Sequence, residues 1–251
     1  MVWLDSLLAV PAIGVRISPD FKEIFDFQRR LEGFLDFLVN EEKFGIEKLE
    51  IKSQGIWGYS VSIQKTGFSF VLTPNDIIGQ YAYEIGQIPK PGGLPTFQLP
   101  ETMPYSQLLE KISTHVQKVF ALIKDLRGFR FDRIGIVANV GSDKESLPPG
   151  VLKWIENLSK PWGTLTKSES LLLAKLHENE EGGYRDQCHH IVKFDDTTPE
   201  TGIRFTLDWQ RVFEGSIPIS EGKGLSGNLT SCKNEALTYF QRFGEGDLNY
   251  D

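Results

Sequence analysis

An α+β fold, with antiparallel sheet meanders packed by two long helices and a C-terminal helix, is what this sequence predicts. Three observations carry it. Two long segments repeat apolar residues at intervals of three and four, the stretch between them alternates with a period of two, and a run rich in proline and glycine divides the chain.

The elements follow in order. The first seventeen residues are apolar, but Asp5 and Pro11 interrupt them and no basic region precedes them, so neither a signal peptide nor a membrane span fits. They read as a buried strand with its approach. From Phe21 to Val39 the residues Phe21, Ile24, Phe25, Leu31, Phe34, Leu35 and Leu38 mark one face of a helix, with Ser18 and Pro19 suited to its cap and first turn. After Glu41 the period changes: Leu49 and Ile51 alternate with Glu50 and Lys52, and Trp57, Tyr59, Val61 and Ile63 alternate with Gly58, Ser60 and Ser62. Lys65 to Gly67 is a turn; Phe68, Phe70 and Leu72 continue the meander, and Thr73 to Asp76 turns it toward Tyr81, Tyr83 and Ile85.

Between Ile88 and Pro104 the prolines and glycines exclude a helix or a central strand and predict an extended surface connection. Tyr105 to Leu126 is the second long helix, closed by Arg127-Gly128. Arg130 to Val140 then reads as a core strand, Gly150 to Leu158 as a short helix, Gln187–Phe194 with Gly202–Trp209 as a hairpin, and Asn228 to Phe243 as the last helix. No repeat of fixed period stands out. The chain accordingly divides into a strand-helix-meander part (1–90), a connection (91–104) and a helix-strand-hairpin-helix part (105–251), packed as one unit of two related layers.

The strings SFVLTPNDIIGQY, FDRIGIVANV, GIRFTLDW and NEALTYFQRF, in this order among these elements, resemble the sporadically distributed bacterial proteins of the TIGR04255 family. Arg133, Ile134, Gly135 and Asn139 correspond to that family's RIG…N strand. The resemblance implies a prokaryotic, intracellular α+β protein and no particular reaction.

Composition narrows the function classes. At 251 residues with 40% hydrophobic and 12% aromatic, the chain has enough apolar material for a core. Two cysteines, Cys188 and Cys232, are not a disulfide framework and suit a reducing compartment, the cytoplasm. A net charge of −7 argues against a dedicated phosphate-backbone binder, so nucleic acid is not an expected partner. No membrane is expected either.

The candidate chemical residues each have an ordinary explanation. His177, Cys188, His189 and His190 are of the types zinc prefers, and Cys188 with His190 would make a nucleophile and base. Neighbours on a strand point to opposite faces, so His189 and His190 do not share an ion, and no metal or cofactor is expected. Glu50 and Lys52 match the acidic-x-lysine element of metal-dependent nucleases, although alternation alone makes them a solvated strand face. Asp195, Asp196, Glu200 and Asp208 around the late hairpin, with Glu178, Glu180 and Glu181 before it, offer oxygen ligands but also read as turn and surface residues. Gly222, Gly224 and Gly227 lack a phosphate-loop lysine. The aromatic residues Trp57, Tyr59, Tyr81, Tyr83, Trp154 and Trp162 supply contact anchors if exposed and core if not. The expectation is a non-catalytic protein-binding or assembly protein, paired with a protein partner or with itself. The alternative is a metal-dependent hydrolase or nuclease.

Overall fold

The computed structural model describes residues 3–18, 24–55, 57–83, 86–88, 96–98, 103–126, 128–159, 171–179, 183–194, 202–219 and 224–247. The strands are β1 (Leu8–Ser18), β2 (Leu49–Gln54), β3 (Gly58–Ile63), β4 (Phe68–Leu72), β5 (Asp76–Tyr81), β6 (Gly86–Ile88), β7 (Thr96–Gln98), β8 (Arg130–Asp143), β9 (Leu171–Asn179), β10 (Tyr184–Phe194) and β11 (Gly202–Pro218). The α-helices are α1 (Ile24–Asn40), α2 (Tyr105–Ile123), α3 (Pro149–Ser159) and α4 (Gly224–Glu245). The fold class is α+β, as the two periodicities predict.

Nine strands form one antiparallel sheet in the order β2-β3-β4-β5-β1-β8-β11-β10-β9. This order contains a repeat that residue spacing does not reveal. In each half a first strand leads into a helix, a meander follows, and the meander's last strand returns beside the first: β5 beside β1, and β11 beside β8. The first strands of the halves, β1 and β8, pair at the centre with Ile13 opposite Ile136 and Gly14 opposite Gly135.

Alternation sends one set of side chains toward the helices. Ile13, Val15, Ile134 and Ile136 are fully buried there, together with Val61, Phe70, Leu72 and Ile77 from the first meander and Phe205, Leu207 and Trp209 from the second. The α1 stripe of Phe27, Leu31, Phe34 and Leu38, the α2 stripe of Leu108, Ile112, Val116 and Val119, and Leu229, Ala236 and Phe240 of α4 complete the core. Burial of this apolar area is the main stabilising term. Gly79 of β5 is a packing requirement: a Cβ there would lie 2.8 Å from Ile112 and 2.9 Å from Val116, so its absence lets α2 approach the sheet.

Several details differ from the sequence reading. The connection after Ile88 includes a short ladder, β6 with β7, while 89–95 and 99–102 lie outside the described residues. The sheet has an extra strand, β9, paired along β10. Helix α4 starts at Gly224, a turn before Asn228, because Leu225 is buried against the core and its packing outweighs the poor helix propensity of Gly224 and Gly227. Among the described residues no helix is long and apolar enough to cross a membrane.

One strong polar network links sheet and helix. Arg211 of β11 is 2% exposed, donates to both carboxylate oxygens of Asp186 on β10 at 2.7 and 2.6 Å, and also contacts Glu235 and Ser231 of α4. Its guanidinium lies 3.8 Å from the centre of the Tyr184 ring. The charge is therefore satisfied on all sides, as a buried cation must be.

Candidate functional site

Most of the residues with candidate chemistry are accounted for by the fold. Cys188 and His190 point into the core, where burial raises the Cys188 thiol pKa far above the thiolate range and lowers His190 to about 4. The thiol is thus kept protonated, and His190 is held by Tyr239 at 3.0 Å, which leaves no nucleophile-base pair. His189 faces the other side of the sheet. His177 lies on β9 opposite Asp186. Among the described residues no three His, Cys, Asp or Glu side chains cluster as a metal site would require.

Glu50 and Lys52 occupy the edge strand β2, bonded to each other at 2.9 Å and largely solvated. The aromatic anchors are turned inward or engaged. Tyr81 is buried, Tyr83 packs edge-on to it, the Tyr59 hydroxyl donates to the Leu31 carbonyl, and Trp57 packs edge-on to Phe25. Trp154 is buried against Phe243. Trp162, Glu180, Glu181, Asp195, Asp196, Glu200 and Gly222 lie outside the described residues.

The face of the sheet away from the helices is a different matter. Its central strands form a groove of about 690 Å³ with a floor of Gly14 and Gly135. On one side Arg16 and Arg133 stand directly opposite each other in the β1–β8 register. Like charges placed so are destabilising. Asp76 of β5 is the partner of Arg16 on its other side in the register, yet among the described residues Arg16 makes no ion pair, and the buried Nε of Arg133 has no hydrogen-bond partner.

On the other side of the floor a chain of amides ends in a carboxylate. Gln187 of β10 donates to Gln210 Oε1 at 3.1 Å, and Gln210 donates to Asp208 Oδ2 at 2.6 Å. The other oxygen, Asp208 Oδ1, lies 3.8 Å from where a Cβ on Gly135 would sit. Burial raises the Asp208 pKa, and the Gln210 hydrogen bond and the charges of His189 and Arg133 offset only part of that rise. Next to it, His189 Nε2 is buried without a hydrogen-bond partner. The groove therefore offers cationic donors, a fixed acceptor and a floor without side chains.

No family model and no curated protein match this chain. Among solved structures it is similar to a rolling circle replication initiator protein from Geobacillus stearothermophilus, at 10% identity and a TM-score of 0.24, over 81% of this chain and 75% of that one. Beside the groove, two expectations are corrected: the chain is no longer read as a non-catalytic assembly protein with a protein or self partner, and nucleic acid is no longer set aside. The physical basis of the assembly reading also falls, because its anchors Tyr59 and Tyr81 are engaged within the fold. The expectation from net charge failed because a sum over the whole chain says nothing of how arginines gather on one face. A likeness at this score supplies neither site nor mechanism, so the function rests on the groove.

Sequence reasoning missed this site. Arg133 and Gly135 entered only through the family resemblance, and Arg16, Gly14 and Gln210 not at all. Glycines inside two otherwise strong strands were the available signal, since such positions mark close approach of a ligand or of another backbone.

Proposed function

We propose that the protein binds nucleic acid, with the sugar-phosphate backbone against Arg16 and Arg133 in the groove on the open face of its sheet. The observation that carries this reading is the arginine pair itself, two cations opposite each other across the central ladder without an ion-pair partner among the described residues. A phosphate between them turns the repulsion into two charge-assisted contacts. Gly14 and Gly135 leave room for a backbone to approach the sheet. The groove's volume is in the range of sites that enclose small molecules, which matches a few nucleotides of an extended single strand.

Fluorescence anisotropy with labelled single- and double-stranded oligonucleotides at low salt tests this. Saturable binding of single strands is expected, with Arg16→Ala and Arg133→Ala each weakening it about tenfold and each reducing the slope of log K against log salt by about one. Absence of saturable binding by any strand, or wild-type affinity in both variants, overturns the reading. Incubating the same strands with Mg²⁺ reads out the hydrolase alternative directly, as shortened product.

A further inference from the structure

We infer that Asp208 and Arg133 form a base-reading subsite in this groove, selective for guanine in a single strand. The inference rests on the nucleic-acid reading and adds which base sits beside the backbone contact.

The direction of the amide chain settles what the subsite asks of a ligand. Gln187 donates to Gln210 and Gln210 donates to Asp208 Oδ2, so one hydrogen of the Gln210 amide is committed to the carboxylate, which faces the groove as an acceptor, with Oδ1 above the Gly135 floor. A ligand group placed there must be a donor. Arg133, which also lines the groove, offers donors only. The subsite therefore wants a planar edge that presents an acceptor beside donors, and unstacked bases in single strands are read on such edges.

The four bases differ in how well they supply it. Thymine and uracil have one ring N–H between two carbonyls, while adenine and cytosine have one amino group beside a ring acceptor. Guanine has two adjacent donors, N1–H and N2–H₂, next to the O6 acceptor. It alone gives the carboxylate two hydrogens while still offering O6 to a guanidinium. Arginine to guanine O6 is among the commonest specific contacts between proteins and bases. Leaving a buried acceptor unmet is what penalises the other bases.

The test is anisotropy with single strands of one length that differ at one position, guanine in one, and inosine, adenine or thymine in the others. Inosine keeps O6 and N1–H but lacks the N2 amino group. The guanine strand is expected to bind about tenfold more tightly than the others, a difference of the size a good bidentate contact provides. Asp208→Asn, close in shape, should remove that preference, bringing the ratio of the guanine strand's affinity to that of each other strand to about one. Equal binding of all four strands by the wild-type protein, with the dependence on Arg16 intact, overturns the guanine subsite and leaves the nucleic-acid reading standing. A preference that survives Asp208→Asn overturns the role of Asp208. No binding of any strand removes both readings, and because the first comparison uses wild-type protein, it does not depend on how a variant folds.

Discussion

On the helix-covered face of β1 and β8, Ile13, Val15, Ile134 and Ile136 are buried to within 1% of completely, whereas one residue along on the same strands the open face carries Gly14, Arg16, Arg133 and Gly135. The backbone is shared, so its propensity and register explain neither set alone. Each inward residue adds apolar area or fills a gap under a helix. The outward residues do the reverse: two glycines weaken the strands, two arginines repel each other, and a buried Nε goes without a partner. Residues that cost stability at the centre of a sheet point to a ligand, as strained or unsatisfied groups often do.

The largest test of this contrast lies in the Arg211 network. Arg211→Ala leaves Asp186 without its bidentate partner under α4 and should cost about 3–5 kcal/mol in chemical denaturation, whereas Arg16→Ala on the open face should stay within about 0.5 kcal/mol. Equal costs for the two would dissolve the distinction between faces. Arg211→Met, which keeps the stem but not the charge, should remain as destabilised as Arg211→Ala if the orphaned Asp186 is the cause.

Next in size is a neighbouring pair on one strand. Ile136→Ala should lose about 2–5 kcal/mol through lost burial and a residual cavity, and Val137→Ala, pointing into the groove, should lose far less. Denaturant midpoints of the two variants read the alternation directly.

Acid stability probes the covered face through His190. Its folded-state pKa of about 4 lies below the ordinary 6.5, so between these values the unfolded chain binds a proton that the folded chain does not. Stability should therefore be constant above pH 6.5 and fall as the pH drops toward 4, by about 3 kcal/mol from this residue. His115, buried among Phe37, Phe68 and Phe70 and also lowered by burial, adds loss of the same sign. In urea titrations from pH 7 to pH 4, His190→Gln should flatten the profile. An unchanged slope would place His190 outside the acid response.

How much of this was legible in the sequence follows the same division. Both long helices, the first meander and the central strand from Arg130 were readable, since each buries one face and its apolar period shows it. Strand β9 was not: Leu171, Leu172 and Leu173 suit a helix as well as a strand, and pairing with β10 decides. The duplication of the fold lies in the order of strands and not in a repeated string. The groove was the least legible feature, because Arg16 and Arg133 become neighbours only through the register of β1 on β8, and Gln187 meets Gln210 only through that of β10 on β11.

Three glycines give the smallest and most discriminating prediction. At Gly79, on the covered face, an added Cβ would press on methyl groups of Ile112 and Val116 at 2.8 and 2.9 Å, so Gly79→Ala should destabilise by about 1–3 kcal/mol through overpacking. At Gly14 nothing lies within 4 Å of an added Cβ, and at Gly135 the nearest atoms, Asp208 Oδ1 and Gln210 Cγ, are both 3.8 Å away. There alanine meets no obstacle and restricts the unfolded chain, which should raise stability by about 0.4–1 kcal/mol. A strand that gains stability from alanine yet carries glycine is keeping its surface clear. Gly14→Ala and Gly135→Ala should accordingly raise the denaturation midpoint while weakening oligonucleotide binding, opposite signs from one methyl group. A loss of stability at Gly14 would mean that the glycine serves the fold, and the contrast between the two faces would then fail at its centre.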